Sequence, residues 1–242
     1  MKNFRFLALL GLVASLATSC GGSDFEKEPL DVLIQDMNAE KDFTIILYDM
    51  DVEGTVSETF KHQYQIIRIG ADSVPTDTVT EWVEVSEEFF LANQENMGME
   101  IASKTDGTLS KEVAPAGFSH YVGNPQYGQW SNQGGSSVWT FFASYMMFST
   151  MLNMATMPIH ANHYNDYHRN YRGTGRAYYG SGPDGKAAFG SSSARVADTR
   201  GNSRWVSNTN NQNFRGRVQE RTSRSTSRQG TSTRSRGGGY GK

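Results

Sequence analysis

Cys20 is the only cysteine in the 242-residue chain, and its neighbours assign its chemistry. A lone thiol forms no internal disulfide. It directly follows Ala17-Thr18-Ser19, small residues of the kind signal peptidases need beside the cut. Ahead of them lie Lys2 and Arg5, then Phe6 to Leu16, an apolar run whose one polar residue is Ser15. This pattern predicts a signal peptide over 1–19. The expected product begins at a diacylglyceryl-modified, palmitate-bearing Cys20, with 20–28 as its tether. Each buried CH₂ of an acyl chain contributes about 0.8 kcal/mol, so two or three chains make a lasting anchor.

The stretch resembles a lipobox, with Ala17 where that motif usually has Leu and Leu16 one place earlier. Gly21, by resemblance to the enterobacterial sorting rule, favours the outer membrane over the inner. The expected location is the cell envelope.

Three other sets of side chains carry candidate chemistry. His160, His163, Asp166 and His168 in IHANHYNDYH form the densest group of metal-type ligands. Imidazoles three residues apart on a helix face are able to share Zn²⁺ or Cu²⁺. The segment follows Pro158 and is rich in Asn and Tyr, which reads as a loop, so neither a metal nor any other cofactor is expected. Asp49, Asp51 and Glu53 alternate at a strand end and read as a solvated edge. Lastly, Arg215, Arg217, Arg221, Arg224, Arg228, Arg234 and Arg236 punctuate a Ser/Gly-rich C-terminal run. Arginine grips phosphate and carboxylate through two parallel N–H groups, which lysine does not. These residues are the expected contacts to anionic lipid, lipopolysaccharide or another polyanion. Outside the cytoplasm, nucleic acid is not the expected partner. No G-x-S-x-G, P-loop or H-E-x-x-H is present, and no enzyme is expected.

The elements that must position these residues follow from charge and periodicity. Residues 20–158 carry 6 basic and 21 acidic side chains, and 159–242 carry 15 and 4. That split suggests an acidic folded unit and a basic interaction tail. Residues 29–113 read as a small α+β domain with an antiparallel sheet. Helices are expected over Pro29 to Met37 and from a Ser86 cap to Glu95. Strands are expected over Phe43 to Met50, Thr59 to Ile69 and Thr78 to Val85, with a loop over Asp72 to Asp77. A hairpin should turn at Asp106-Gly107. Residues 114–135 read as a Gly/aromatic linker.

Val138 to Met157 is twenty uncharged residues with five methionines. The expectation is an apolar helix over 136–158, about 30 Å long, which either spans a bilayer or packs on protein. Its methionines suit an adaptable protein contact. Residues 159–242 have no Leu or Met, and Ile159 is their one Ile, so they read as a disordered Arg/Ser/Gly-rich tail.

The order of parts resembles the YgiB-type lipoproteins of enteric bacteria. Ser137-Val138-Trp139, Tyr145-Met146-Met147, Phe214-Arg215-Gly216 and the closing Ser/Arg/Gly run carry the likeness, over roughly the last 110 residues. The domain at 29–113 departs from that pattern. The resemblance implies a neighbouring ligase of the ATP-grasp class, similar to glutathionylspermidine synthase. The sequence thus points to a non-enzymatic envelope lipoprotein whose basic tail engages anionic partners. The alternative is a substrate or adaptor of an ATP-grasp peptide-amine ligase.

Overall fold

The computed structural model describes residues 27–54, 57–70, 74–154, 157–182 and 185–209. Residues 1–26, with the signal-like stretch and Cys20, lie outside them. So do the seven tail arginines from Arg215 to Arg236.

An antiparallel sheet forms the middle layer. Its central strands are β1 (Phe43–Glu53) and β2 (Thr59–Ile69), paired from Phe43↔Arg68 to Glu53↔Thr59. β3 (Pro75–Val79) lies on the outer side of β2, and β4 (Val83–Val85) pairs farther along the same strand. β5 (Met99–Thr105) flanks β1, followed by β6 (Thr108–Ser110), with β7 (Ala114–Pro115) farther along β5. The β5–β6 turn is Asp106-Gly107, both with positive φ (50° and 79°), as a two-residue hairpin with right-handed strand twist requires.

Alternation divides β1 and β2 between two cores. Ile45, Leu47, Tyr64 and Ile66 face one side; Ile46 and Ile67 face the other. The first side is covered by α1 (Pro29–Asp36), α2 (Glu87–Asn93) and α6 (Arg204–Thr209). Ser86 caps α2, its Oγ accepting from Phe89 N at 3.1 Å, and donates to Glu28 at the entrance of α1. Phe90 at 5.1 Å from Phe60 and 5.7 Å from Trp205 joins α2, β2 and α6. The domain is α+β, as the sequence implies.

The second side shows where the sequence reading fails. The expected linker over 114–135 is core: Phe118, Tyr121, Val122 and Tyr127 are buried. The expected apolar helix over 136–158 is not one helix. β8 (Gly128–Gln133) and β9 (Ser136–Phe141) form a hairpin with Trp130 opposite Trp139. Next come a 3-10 turn (Ala143–Tyr145) and the five-residue α3 (Met147–Met151). Gly134 and Gly135, with φ of 58° and 83°, supply the turn. Pairing of Val138 and Trp139 into a hairpin overrides the bare lack of charge. Among the described residues no helix is long and apolar enough to cross a membrane.

The expected disordered tail also needs correction over 159–209. α4 (Ala161–Asn170) packs on β9, and α5 (Ala194–Thr199) precedes α6. Ile159, Tyr167, Tyr178, Phe189, Val196 and Trp205 are buried. Aromatic side chains, each of which buries about 150–250 Å², build this packing in the near absence of aliphatic ones. Gly190 marks one anchor: it sits at φ 85°, where a Cβ would lie 2.5 Å from Glu95 O. Ser191 N donates to Glu95 O at 3.0 Å, and Ser191 Oγ donates to Gln94 O at 2.6 Å.

Candidate ligand-binding groove

β1 and β2 shift register between Leu47 and Asp49. The shift is a bulge at Tyr48, and bulges re-aim side chains. Tyr48 meets Arg200, the residue that ends α5. The guanidinium lies 4.0 Å above the Tyr48 ring, and its Nη1 donates to Tyr48 O at 2.9 Å. Nη2 makes a long contact to Gln65 Oε1 at 3.4 Å. Gln65 Nε2 in turn donates to Asp77 Oδ2 on β3 at 2.8 Å. Arg200 is only 8 % exposed.

These groups form the polar floor of a groove of about 380 Å³ between β3 and α3. Val79 and Met147 form its rim, Met151 and Asn153 its far wall. Met147 is 51 % exposed, and its neighbours Met146 and Phe142 are exposed as well. An apolar rim over a few convergent polar groups is the usual make-up of a ligand or peptide site. Burial lowers the Arg200 pKa from its ordinary value while Tyr48 and Asp49 oppose the shift. The group remains a cation at neutral pH.

Of the carboxylates at the end of β1, Glu53 is exposed, as a solvated edge would have it, and the two aspartates are not. Asp49 and Asp51 are buried. Asp49 accepts from Arg204 N at 2.9 Å and Trp205 N at 3.2 Å, at the start of α6. Arg204 reaches Asp51 at 2.7 Å and Glu53 at 3.1 Å, with its guanidinium over Trp82. Arginines after residue 159 therefore already meet the acidic half of the same chain.

The histidine group does not assemble. His160 precedes α4 as its N-cap. The His163 ring packs at 5.5 Å from Phe189, with Nδ1 3.2 Å from Tyr178 Oη. The His168 ring lies at 4.0 Å from Tyr164, with Nδ1 3.2 Å from Arg172. Asp166 accepts from Asn170 Nδ2 at 2.7 Å. Burial lowers the pKa of both His163 and His168. Among the described residues no three His, Cys, Asp or Glu side chains come together as a metal ligand set.

Two strongly perturbed groups escaped the sequence reading, and both are enclosed. Glu100 on β5 is fully buried and accepts from Gly117 N at 3.0 Å, Ser119 N at 3.2 Å and the Ser119 hydroxyl. Burial pushes its pKa up to about 7 against the pull of those bonds. Its work is to hold the 117–119 turn against the sheet. His62 on β2 packs among Tyr64, Phe89 and Phe90, and burial pushes its pKa down to about 3. An isolated Glu in a strand looks like any solvent-facing residue, so no sequence signal marks Glu100. Tyr48 and Arg200 lie 152 residues apart, and only the fold joins them.

No family model matches the chain, and no curated protein or solved structure is significantly similar to it.

Proposed function

We propose that the chain is a lipid-anchored protein of the cell envelope that binds partners rather than transforming them. The observation that carries this is the apolar run ending in Ala17-Thr18-Ser19-Cys20. Lipid on Cys20 holds the protein to a membrane, the outer one by the Gly21 criterion. The folded module stands off that surface, and the arginine-rich segment after residue 209 engages anionic lipid, lipopolysaccharide or another polyanion.

Two features of the module support a binding role. Glu100 and His62, both strongly perturbed, sit inside the packing and hold the fold together. Its groove, by contrast, is rimmed by Val79 and Met147, and Met146 and Phe142 are exposed close by in the chain, apolar side chains that suit a protein partner. This retains the partner role expected of 136–158, on a hairpin and short helix instead of a long helix.

The test is palmitate labelling with membrane fractionation of the wild type and of Cys20→Ser. The wild type should take the label and sediment with membranes. The variant should take none and collect as unprocessed or soluble product. Equal labelling and fractionation of the two proteins would refute the anchor.

A further inference from the structure

β3 is the last strand on its side of the sheet, and among the described residues nothing pairs with its outer edge. Thr76, Asp77, Thr78 and Val79 are all exposed. Thr80 N donates to Tyr64 O at 2.8 Å, and Val74 O accepts from Gly70 N at 3.0 Å, so the even-numbered backbone groups face β2. The amides and carbonyls of Asp77 and Val79 therefore point away from the sheet. An open edge of this kind is a template for one more strand.

The groove flanks that edge. Pro75, Asp77 and Val79 share one face by alternation, and Asp77 and Val79 line the groove with Met147 and Met151. A strand added here needs apolar side chains around a small residue opposite Asp77. Charge sets a second demand. Asp77, Glu81 and Glu84 are exposed and make no ion pair among the described residues. No Lys or Arg occurs from 69 to 103. A second copy pairing β3 with β3 about Asp77 would set like charges face to face, which is unfavourable.

The chain's own continuation meets both demands. Residues 214–218 read Phe-Arg-Gly-Arg-Val. In an extended strand Phe214 and Val218 share one face around Gly216, and Arg215 and Arg217 share the other. The stretch has no Pro to break a ladder, and the arginines are its only charges. It also starts from the right place. Arg204 opens α6, and its guanidinium lies 5.0 Å from the Trp82 ring, in the link between β3 and β4. From Thr209 five extended residues reach about 17 Å, the length of a strand such as β3. A segment entering from the Val79 end runs antiparallel to β3, and so short a tether holds it at millimolar effective concentration.

We propose that residues 214–218 add to β3 as an antiparallel strand, with Gly216 opposite Asp77 and with Phe214 and Val218 on the groove face beside Val79 and Pro75. For that apolar face the inference rests on the reading of the groove as a protein-binding site, and it names the occupant. Arg221 and the arginines after it lie beyond the strand and serve the anionic partner.

The test is amide hydrogen exchange, read by NMR, in the full chain carrying Cys20→Ser. Asp77 and Val79 N–H should exchange slowly, and Phe214→Asp with Val218→Asp should speed both by on the order of tenfold or more. Thr78 N–H faces β2 and should stay as slow as before, which separates loss of the added strand from loss of the fold. Met147→Asp should speed Asp77 and Val79 by a smaller factor. Fast exchange at Asp77 and Val79 without the tail substitutions would refute the docking and leave the groove open to another protein. Protection that survives the double substitution would refute it too, since something else would then hold the edge. Protection that falls on dilution would assign the edge to a second copy and overturn docking within one chain. If protection needs Phe214 and Val218 but ignores Met147→Asp, the added strand stands and the reading of the groove falls.

Discussion

Glu100 and His62 load the fold with opposite pH dependences. A carboxyl whose folded pKa is about 7 binds a proton that the unfolded chain has released above its ordinary 4.5. Its contribution is complete below 4.5 and is lost as pH rises through 7. His62 works the other way: it stays neutral when folded down to about pH 3, whereas the unfolded chain takes up a proton below 6.5. Its contribution is complete above 6.5 and is lost as pH falls toward 3. The two slopes oppose each other between 4.5 and 6.5, so each must be read by difference. Glu100→Gln should lose stability at every pH, because Gly117 N and Ser119 N donate to different carboxyl oxygens and an amide offers only one oxygen. Its deficit relative to wild type should shrink from pH 4.5 to 7, by on the order of 3 kcal/mol. Denaturant titration at three pH values measures this; a constant deficit would mean that Glu100 titrates normally. His62→Leu should hold its stability between pH 6.5 and 5 better than wild type, and a parallel decline would show that His62 is not the acid-labile group. Neither residue was legible in the sequence. A single Glu or His in an alternating strand gives no sign of which face its strand will bury, or under what.

At the scale of elements, the sequence is most legible where a local signal and a tertiary need coincide. Ser86 caps α2, and Asp106-Gly107 turns the β5–β6 hairpin, because cap and turn are decided within four residues. Gly134-Gly135 is an equally local hairpin signal, overshadowed by the uncharged run that follows it. α6 is the opposite case, a six-residue helix with no strong periodicity that is fixed by contacts 150 residues away. Its two supports should separate experimentally. Trp205→Ala should cost about 3–5 kcal/mol, the range for removing a buried aromatic. Asp49→Ala leaves two helix N–H groups without their acceptor and should cost about 1–3 kcal/mol. Chemical denaturation reads both, and a loss below 1 kcal/mol at Trp205 would mean that α6 is only loosely held.

Across the whole molecule, the expected boundary at Pro158 does not hold: among the described residues the packed elements continue through α6 to residue 209. Composition misplaces that boundary because 159–209 buries mainly tyrosine, phenylalanine and tryptophan, and its lack of leucine and methionine makes it look unfolded. A chain ending at 158 should therefore fail to fold, and one ending at 209 should unfold in a single cooperative transition by circular dichroism. A cooperative transition in the shorter chain would restore the earlier boundary. Past 209, residues 210–242 contain seven arginines, one lysine and one glutamate, and these charges are the expected contacts to anionic partners. Vesicle binding tests that function most directly, with Cys20→Ser in every protein so that lipid does not contribute. The chain through 242 should bind phosphatidylglycerol vesicles, ignore neutral ones, and weaken about tenfold or more between 50 and 200 mM salt. Binding that ignores salt, is equal on neutral vesicles, or survives removal of 210–242 would contradict the account.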